Sequence, residues 1–517
     1  MILISRRWLP LILAFLLSAP SHAQDEIPWD VLQRIRVEAI HHSQAMEMAS
    51  YLTDVFGHRL ANSPSYHAAA VWARDKLEEM GLENALLEPY GEFGVSWSNE
   101  YTAVHMIEPQ YMSIIAYPNT WCRGLDGKVR GNAVHIELDE IRTELDLAPY
   151  RGKLENAIVL TEPLQVLSLD FAPRARRLTE EDLASLELTP LAVDEDDEDD
   201  DPSGERLSTE QILDFLEAEG AAAIASPDGR EDYGTVMVNE VPGRAWESPE
   251  TLYFPYLIFA AEHYNRLLRI LDKEISVELE VEMRIDVRND QRTDYNVIAE
   301  LPGTDLAEEV VLLGAHLDAN SPGQGATDNA AGVVAVMEAM RILKAIDAKP
   351  RRTIRVALWG GEEYGLLGSR GYVAEHYGNA DSREHEEARA MLAAYFNKDG
   401  GGGKIRGIYL QGNEQLRPIF EDWIEPLGDL GVDVISNRTT LNSDHASFDA
   451  VGLPGISFVQ DPLERRAYHT NMDTFDRLVG EDVVQSAIVI ASLGFQAAVS
   501  DEVLPRTLPL GEREKRR

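Results

Sequence analysis

The segment EEVVLLGAHLDAN, residues 308–320, ends an apolar run in His316 and Asp318, two residues apart and so on one side of an extended strand. In such a pair one group can bind a metal while the other orients a ligand. Four more stretches carry residues of the same kind. GQGATDNAAGVV sets Asp328 just ahead of a helical pattern, where the helix dipole favours a carboxylate and where a plain helix cap is the simpler reading of Asp328 alone. RVALWGGEE ends in adjacent Glu362 and Glu363, AAYFNKD ends in Asp399, and the later loop RRAYHTNMDTFD offers His469. Taken singly, each has an ordinary packing or capping role. In order, they are a set of imidazoles and carboxylates of the type that suits zinc.

The elements that would position these groups are legible from about Asp294 onward. Apolar runs of strand length alternate with amphipathic helical stretches, the pattern of an α/β unit with a mixed, mostly parallel central sheet and helices on both faces. Ligands of such sheets lie outside the carboxyl ends of the strands, which is where the candidate residues fall. The two glutamates are expected to diverge because neighbouring side chains leave an extended strand end in opposite directions.

Upstream, VLQRIRVEAIHHSQAMEMASYLTDVFG and SYHAAAVWARDKLEEMGLENALLEPYG read as helix, helix and strand, with a helix end at Gly81. From about Gly127 strands predominate and no ligand cluster occurs, so residues 127–289 are expected to form a separate β-rich unit between 24–126 and 290–500. The acidic run at about 191–206 inside it reads as a solvated loop, and 501–517 as a basic tail. The start, MILISRRWLPLILAFLLSAPSHA, has two arginines, a short apolar run and a small-residue end, which predicts a signal peptide of residues 1–23. No other stretch reaches about 18 uncharged apolar residues. The mature chain is therefore expected to be exported, periplasmic or extracellular, without stable membrane association.

Five separated motifs in one order resemble the M28 family of zinc peptidases: His-x-Asp, a Gly-rich helix start with Asp328, the Glu-Glu pair, N-x-D, and Y-H-T-x-x-D-T. NSDHASF, from Asn442 to Phe448, is similar to another family loop, and residues 127–289 resemble the inserted protease-associated domain of several branches. The resemblance implies two zinc ions bridged by Asp328, one completed by His316 and Asp399 and the other by Glu363 and His469. It further implies peptide hydrolysis by a hydroxide held between the ions, with Glu362 as general base and Asp318 hydrogen-bonding the far nitrogen of His316. The substrate would be a peptide end, cleaved by an aminopeptidase or a carboxypeptidase Q-like dipeptidase.

Two features depart from that pattern. Four glycines follow Asp399, and Arg465 and Arg466 precede His469, where they could meet a substrate carboxylate or simply lie in solvent. Asp381 and Asp433 are poorer ligand candidates than Asp399 because neither follows an apolar strand. The interval from Asp399 to His469 is too short for the dimerisation domain of the M20 peptidases, and too little chain follows His469 for the helical domain of glutamate carboxypeptidases; a homodimer is still compatible with the sequence. A glutaminyl-cyclase-like acyltransferase with one zinc, or a receptor-like relative that has lost its ligands, would share the scaffold.

Composition narrows the remaining partners. With 89 acidic against 47 basic residues and a net charge of −42, the surface repels phosphate backbones and anionic lipid, which disfavours nucleic acid. Cys122 is the single cysteine, so no bridge can form within the chain, and nothing around it marks a nucleophile.

Overall fold

The computed structural model describes residues 28–509 except 170, 189–206, 231, 239–240, 242–243, 321 and 381–382. The predicted signal peptide, most of the acidic run, the end of the basic tail and Asp381 lie outside the described residues.

The first of two sheets has four parallel strands at its centre: Arg352–Trp359, Leu306–His316, Leu392–Asn397 and Gly455–Gln460, in that spatial order. Antiparallel neighbours flank them, Thr293–Leu301 on one side and Ile405–Tyr409 on the other, followed outward by Glu83–Glu92 and Val434–Ser436. Both faces of the central strands are buried, so their sequences are continuous apolar runs rather than alternating ones. Along Leu306–His316, Val311, Leu313 and Ala315 enter the larger core, while Val310 and Leu312 face the smaller one on the opposite side.

Helices Trp29–His42, Pro64–Glu79, Ala331–Ala345 and Gly480–Val499 pack on the first face. Helix Leu367–His376 and the short helix His445–Asp449 cover the second with Tyr372, Val373 and Phe448. The architecture is the expected one. Pro64–Glu79 starts where Ser63 accepts from the Tyr66 N–H and Pro64 supplies a preset φ, and it stops before Gly81, whose φ of +87° suits glycine. Gly480–Val499 is long and apolar enough to cross a membrane, but it is a buried core helix here, packed on Ala331–Ala345.

The second sheet differs from expectation in where it starts. It begins at Ser96 rather than near Gly127, because Ser96–Glu108 pairs along its whole length with Glu278–Arg288, and Met112–Ile114 and Ala116–Pro118 join the same sheet. Its strands and helices otherwise follow the sequence pattern. Lys128–His135, Ile158–Leu160, Ala223–Pro227 and Tyr256–Phe259 run parallel, with Thr209–Ala218 as a crossover helix and Ala261–Leu271 packed behind. The amphipathic pattern of ILDFLEAEG was the sign of that crossover, capped by Ser208 and Gln211 acting reciprocally.

Candidate metal centre

His316 is the last residue of its strand, and the other candidates follow the ends of its parallel neighbours. Glu362 and Glu363 come after Arg352–Trp359, Asp399 after Leu392–Asn397, and His469 in the loop after Gly455–Gln460. Asp328 hangs between His316 and helix Ala331–Ala345, its own backbone non-helical at φ −132° and ψ 90°. The strand ends meet in one pocket floor. His316 Nε2 lies 3.2 Å from Asp328 Oδ1 and 3.6 Å from Asp399 Oδ1. His469 Nε2 lies 3.1 Å from Asp328 Oδ2 and 3.1 Å from Glu363 Oε2. The two oxygens of Asp328 therefore face different imidazoles. Glu362 also reaches inward, offering an oxygen within 4.8 Å of donor atoms of His316 and Asp399.

The glutamates diverge for a different reason from the one expected. The strand ends at Trp359, and Glu362 and Glu363 sit in the turn beyond it. That turn is pinned by Asp318, whose two carboxylate oxygens accept the backbone N–H groups of Glu362 and Glu363 at 3.2 Å each. This revises the role expected of Asp318. Its carboxylate is 3.7 Å from His316 Nδ1, beyond hydrogen-bond range, and the Asp318 backbone carbonyl, at 3.1 Å, is the nearer partner of that nitrogen.

Charge in the pocket is unbalanced. Burial alone would lower the His316 pKa, but Glu362, Asp399, Asp318 and Asp328 around it raise it well above the imidazole range. His469 is pushed up to about 11 against burial by its contacts with Asp328 and Glu363. Burial raises Glu362 well above the usual carboxylate range and raises Glu363 as well. Two imidazoles drawn toward the cationic form among Asp318, Asp328, Glu362, Glu363 and Asp399 make a site that calls for positive charge. Oxygen and imidazole donors at these separations fit divalent zinc.

Three supports had little or no signal in the sequence. Asp473, four residues after His469, is buried and accepts from Thr327 N, Thr327 Oγ1 and Asp328 N at 2.8, 2.7 and 3.1 Å. Its only sign is its place in the YHTNMD stretch. Arg59 is fully buried and donates to the carbonyls of Leu317, Leu52, Gly57, Gln324 and Gly325, joining the His316 and Asp328 segments. Its partners are all main chain, so no residue pattern marks it. Beneath Asp399, Trp359, Tyr395, Asn397 and Ser443 form a buried hydrogen-bonded chain. Asp473→Ala should strand three donors and cost about 2–4 kcal/mol, read as a lower denaturant midpoint at unchanged slope.

The glycine run after Asp399 has a packing cause. Gly401 has a φ of +100°, and a Cβ there would lie 1.8 Å from the Tyr468 hydroxyl; a Cβ on Gly403 would lie 2.0 Å from the Asp461 carbonyl. A cavity of about 350 Å³ opens beside this turn, lined by Ala175, Thr327, Gly402, Leu463, Tyr468 and Arg477 among others. Arg466 is half-buried ahead of His469, and the Arg465 side chain lies outside the described residues. Asp433 is exposed just before the edge strand Val434–Ser436.

Carboxypeptidase Q of Mus musculus is 30% identical over 216 residues, 41% of this chain and 43% of the relative, so the chain spans less than half the length of the carboxypeptidase Q relatives it matches. The crystal structure of a peptidase M28 precursor from Shewanella amazonensis superposes with a TM-score of 0.62 at 24% identity, over 92% of this chain and 98% of that one. A zinc aminopeptidase from Bacillus subtilis gives 0.55 at 18% identity, over 90% and 95%. These likenesses show a shared fold that takes in both sheets. Residues 296–493, which hold every candidate ligand, match the model of peptidase family M28.

Proposed function

We propose that this chain is an exported di-zinc exopeptidase acting on terminal peptide bonds, as an aminopeptidase or a dipeptidase. The observation that carries the reading is Asp328, whose two oxygens each face a separate histidine, with one further carboxylate beside each. His316 and Asp399 would hold one ion and Glu363 and His469 the other, with Asp328 shared. When bound, the zinc ions supply Lewis acidity toward the scissile carbonyl and lower the pKa of water.

The chain's own groups do the rest. Glu362, outside that ligand set, takes a proton from water and delivers it to the leaving amine. Its oxygen lies within 4.8 Å of donor atoms of His316 and Asp399, close enough to the same floor to hold the proton between two transfers. Asp318 fixes the turn from which Glu362 reaches in. The cavity over Gly402 and Tyr468 is the place for a substrate residue, and the second unit, as a protease-associated domain, contributes Ala175 to its wall from the connection after Ile158–Leu160. The N-terminal stretch with its two arginines and short apolar run supports export.

The zinc-loaded chain assayed against aminoacyl-amides, dipeptides and N-blocked peptides tests the reading. Cleavage of free-amino substrates with two zinc ions per chain is expected. Release of C-terminal residues from N-blocked peptides would sink the aminopeptidase form. One zinc per chain with no hydrolysis would favour the cyclase-like alternative, and no zinc with no hydrolysis the receptor-like one.

A further inference from the structure

The loop that carries His469 is held from outside its own sheet. Residues 461–473 leave strand Gly455–Gln460, and nearly every residue from 468 to 471 is tied to one segment of the second unit, Asp228–Val238. Arg230 Nη2 donates to the Tyr468 carbonyl at 3.0 Å, and Val238 N to the His469 carbonyl at 3.3 Å. Met237 pairs with Thr470 as an antiparallel bridge. Asn471 closes the set: its N–H donates to the Val236 carbonyl at 3.0 Å, its Oδ1 accepts from Val236 N at 2.7 Å, and its Nδ2 donates to the Gly234 carbonyl at 3.0 Å. Asp228 braces the segment, accepting from Arg230 N and Met237 N at 2.8 and 2.6 Å.

A second grip lies at the start of the loop. Arg176 bridges to Leu463, Leu178 N donates to Asp461 Oδ1 at 3.0 Å, and Arg177 spans Asp461 and Asp482 at 2.8 and 2.7 Å. Both arms come from the second unit. His469 itself has a φ of +58°, a left-handed conformation that a non-glycine residue keeps only where its surroundings impose it. Among the described residues, the His316 segment is fixed by its strand and by Arg59, with no hydrogen bond to Asp228–Val238.

We infer that the second unit is a positioning element for the His469 side of the centre: by gripping residues 461–471 at both ends, it sets the imidazole against Asp328 and Glu363. Arg230 is the positioning residue at one end and Arg177 at the other. The two halves of the centre then differ in what they depend on. The His316–Asp399 half belongs to the first sheet alone, and the His469–Glu363 half exists only while the two units are docked. This inference rests on the proposed role of His469 as a ligand.

The test uses the full chain stripped of metal, titrated with zinc and followed separately by amide hydrogen exchange. Arg230→Ala should weaken one of two zinc ions about 10-fold, within the range for groups that orient ligands, and leave the other within about twofold. It should also speed exchange at 468–471 in the metal-free protein, and Arg230→Lys should restore part of both. Arg177→Ala should speed exchange at 461–464. Unchanged exchange at 468–471 in Arg230→Ala would overturn the inference, as would equal weakening of both ions together with a lower Tm, which marks general loss of structure. A wild-type chain that binds two zinc ions but cleaves no peptide would sink the proposed function while affinity and exchange still judge the clamp; if the wild type binds no zinc, exchange alone judges it.

Discussion

Glu362→Gln should lower kcat by about 10²–10⁴-fold while zinc content stays at the wild-type level. The substitution keeps the shape of the side chain and removes only its ability to accept and return a proton. Glu362 reaches the same floor as His316 and Asp399, yet it is Glu363 whose carboxylate touches His469. A loss of rate with zinc retained separates proton transfer from ligation. Unchanged hydrolysis would sink the assignment of the base, and loss of zinc would move Glu362 into the ligand set. The pH profile adds a second reading. A base works only when deprotonated, burial raises its pKa and bound cations pull it back, so the acid limb of kcat marks that balance and should vanish in the variant.

Asp328→Asn should be at least as damaging and for a different reason. An amide offers one oxygen and one donor group, so it cannot present an acceptor to both sides, and it removes a negative charge from between two imidazoles. Burial would raise the Asp328 pKa, yet its contacts with His316 and His469 hold the carboxylate below its usual range. Zinc should fall from two per chain to one or none, and hydrolysis should fall with it. Two ions retained in Asp328→Asn would show that the carboxylate does not bridge them. Reading kcat and zinc content side by side keeps the two variants distinct: Glu362→Gln loses rate alone, Asp328→Asn loses metal and rate together.

His316, the glutamate pair and Asp399 were legible as candidates because each ends or follows an apolar run, conspicuous where a strand is buried on both faces, whereas Asp328 and His469 lie in loops and were placed by the order of the motifs. His316, Glu363 and Asp399 need only the end of a strand to be found. What escaped depends on contacts that leave no pattern. The role of Asp318 turned on which atoms its carboxylate meets, and the turn after Trp359, rather than strand alternation, decided that. Arg59 bonds only to carbonyls, so any loop arginine looks the same. The second sheet was placed too late because Ser96–Glu108 carries mixed polar and apolar residues, and its membership comes from pairing with a strand far along the chain. The hold of Asp228–Val238 on the His469 loop ends on backbone groups in every bond, so the side chains of Arg230 and Asn471 meet no complementary side chain that a sequence could advertise.

The four strands whose ends carry the site are immediate neighbours in the sheet. Spacing among His316, Glu363 and Asp399 is thus tied to the interstrand repeat, about 4.8 Å, and not to how many residues separate one from the next. Connecting segments other than the two that carry Asp328 and His469 can lengthen, shorten or be exchanged without disturbing that ruler. Such a scaffold can vary its specificity in the crossings while the chemistry stays where it is, which makes those crossings the place to graft a new substrate preference.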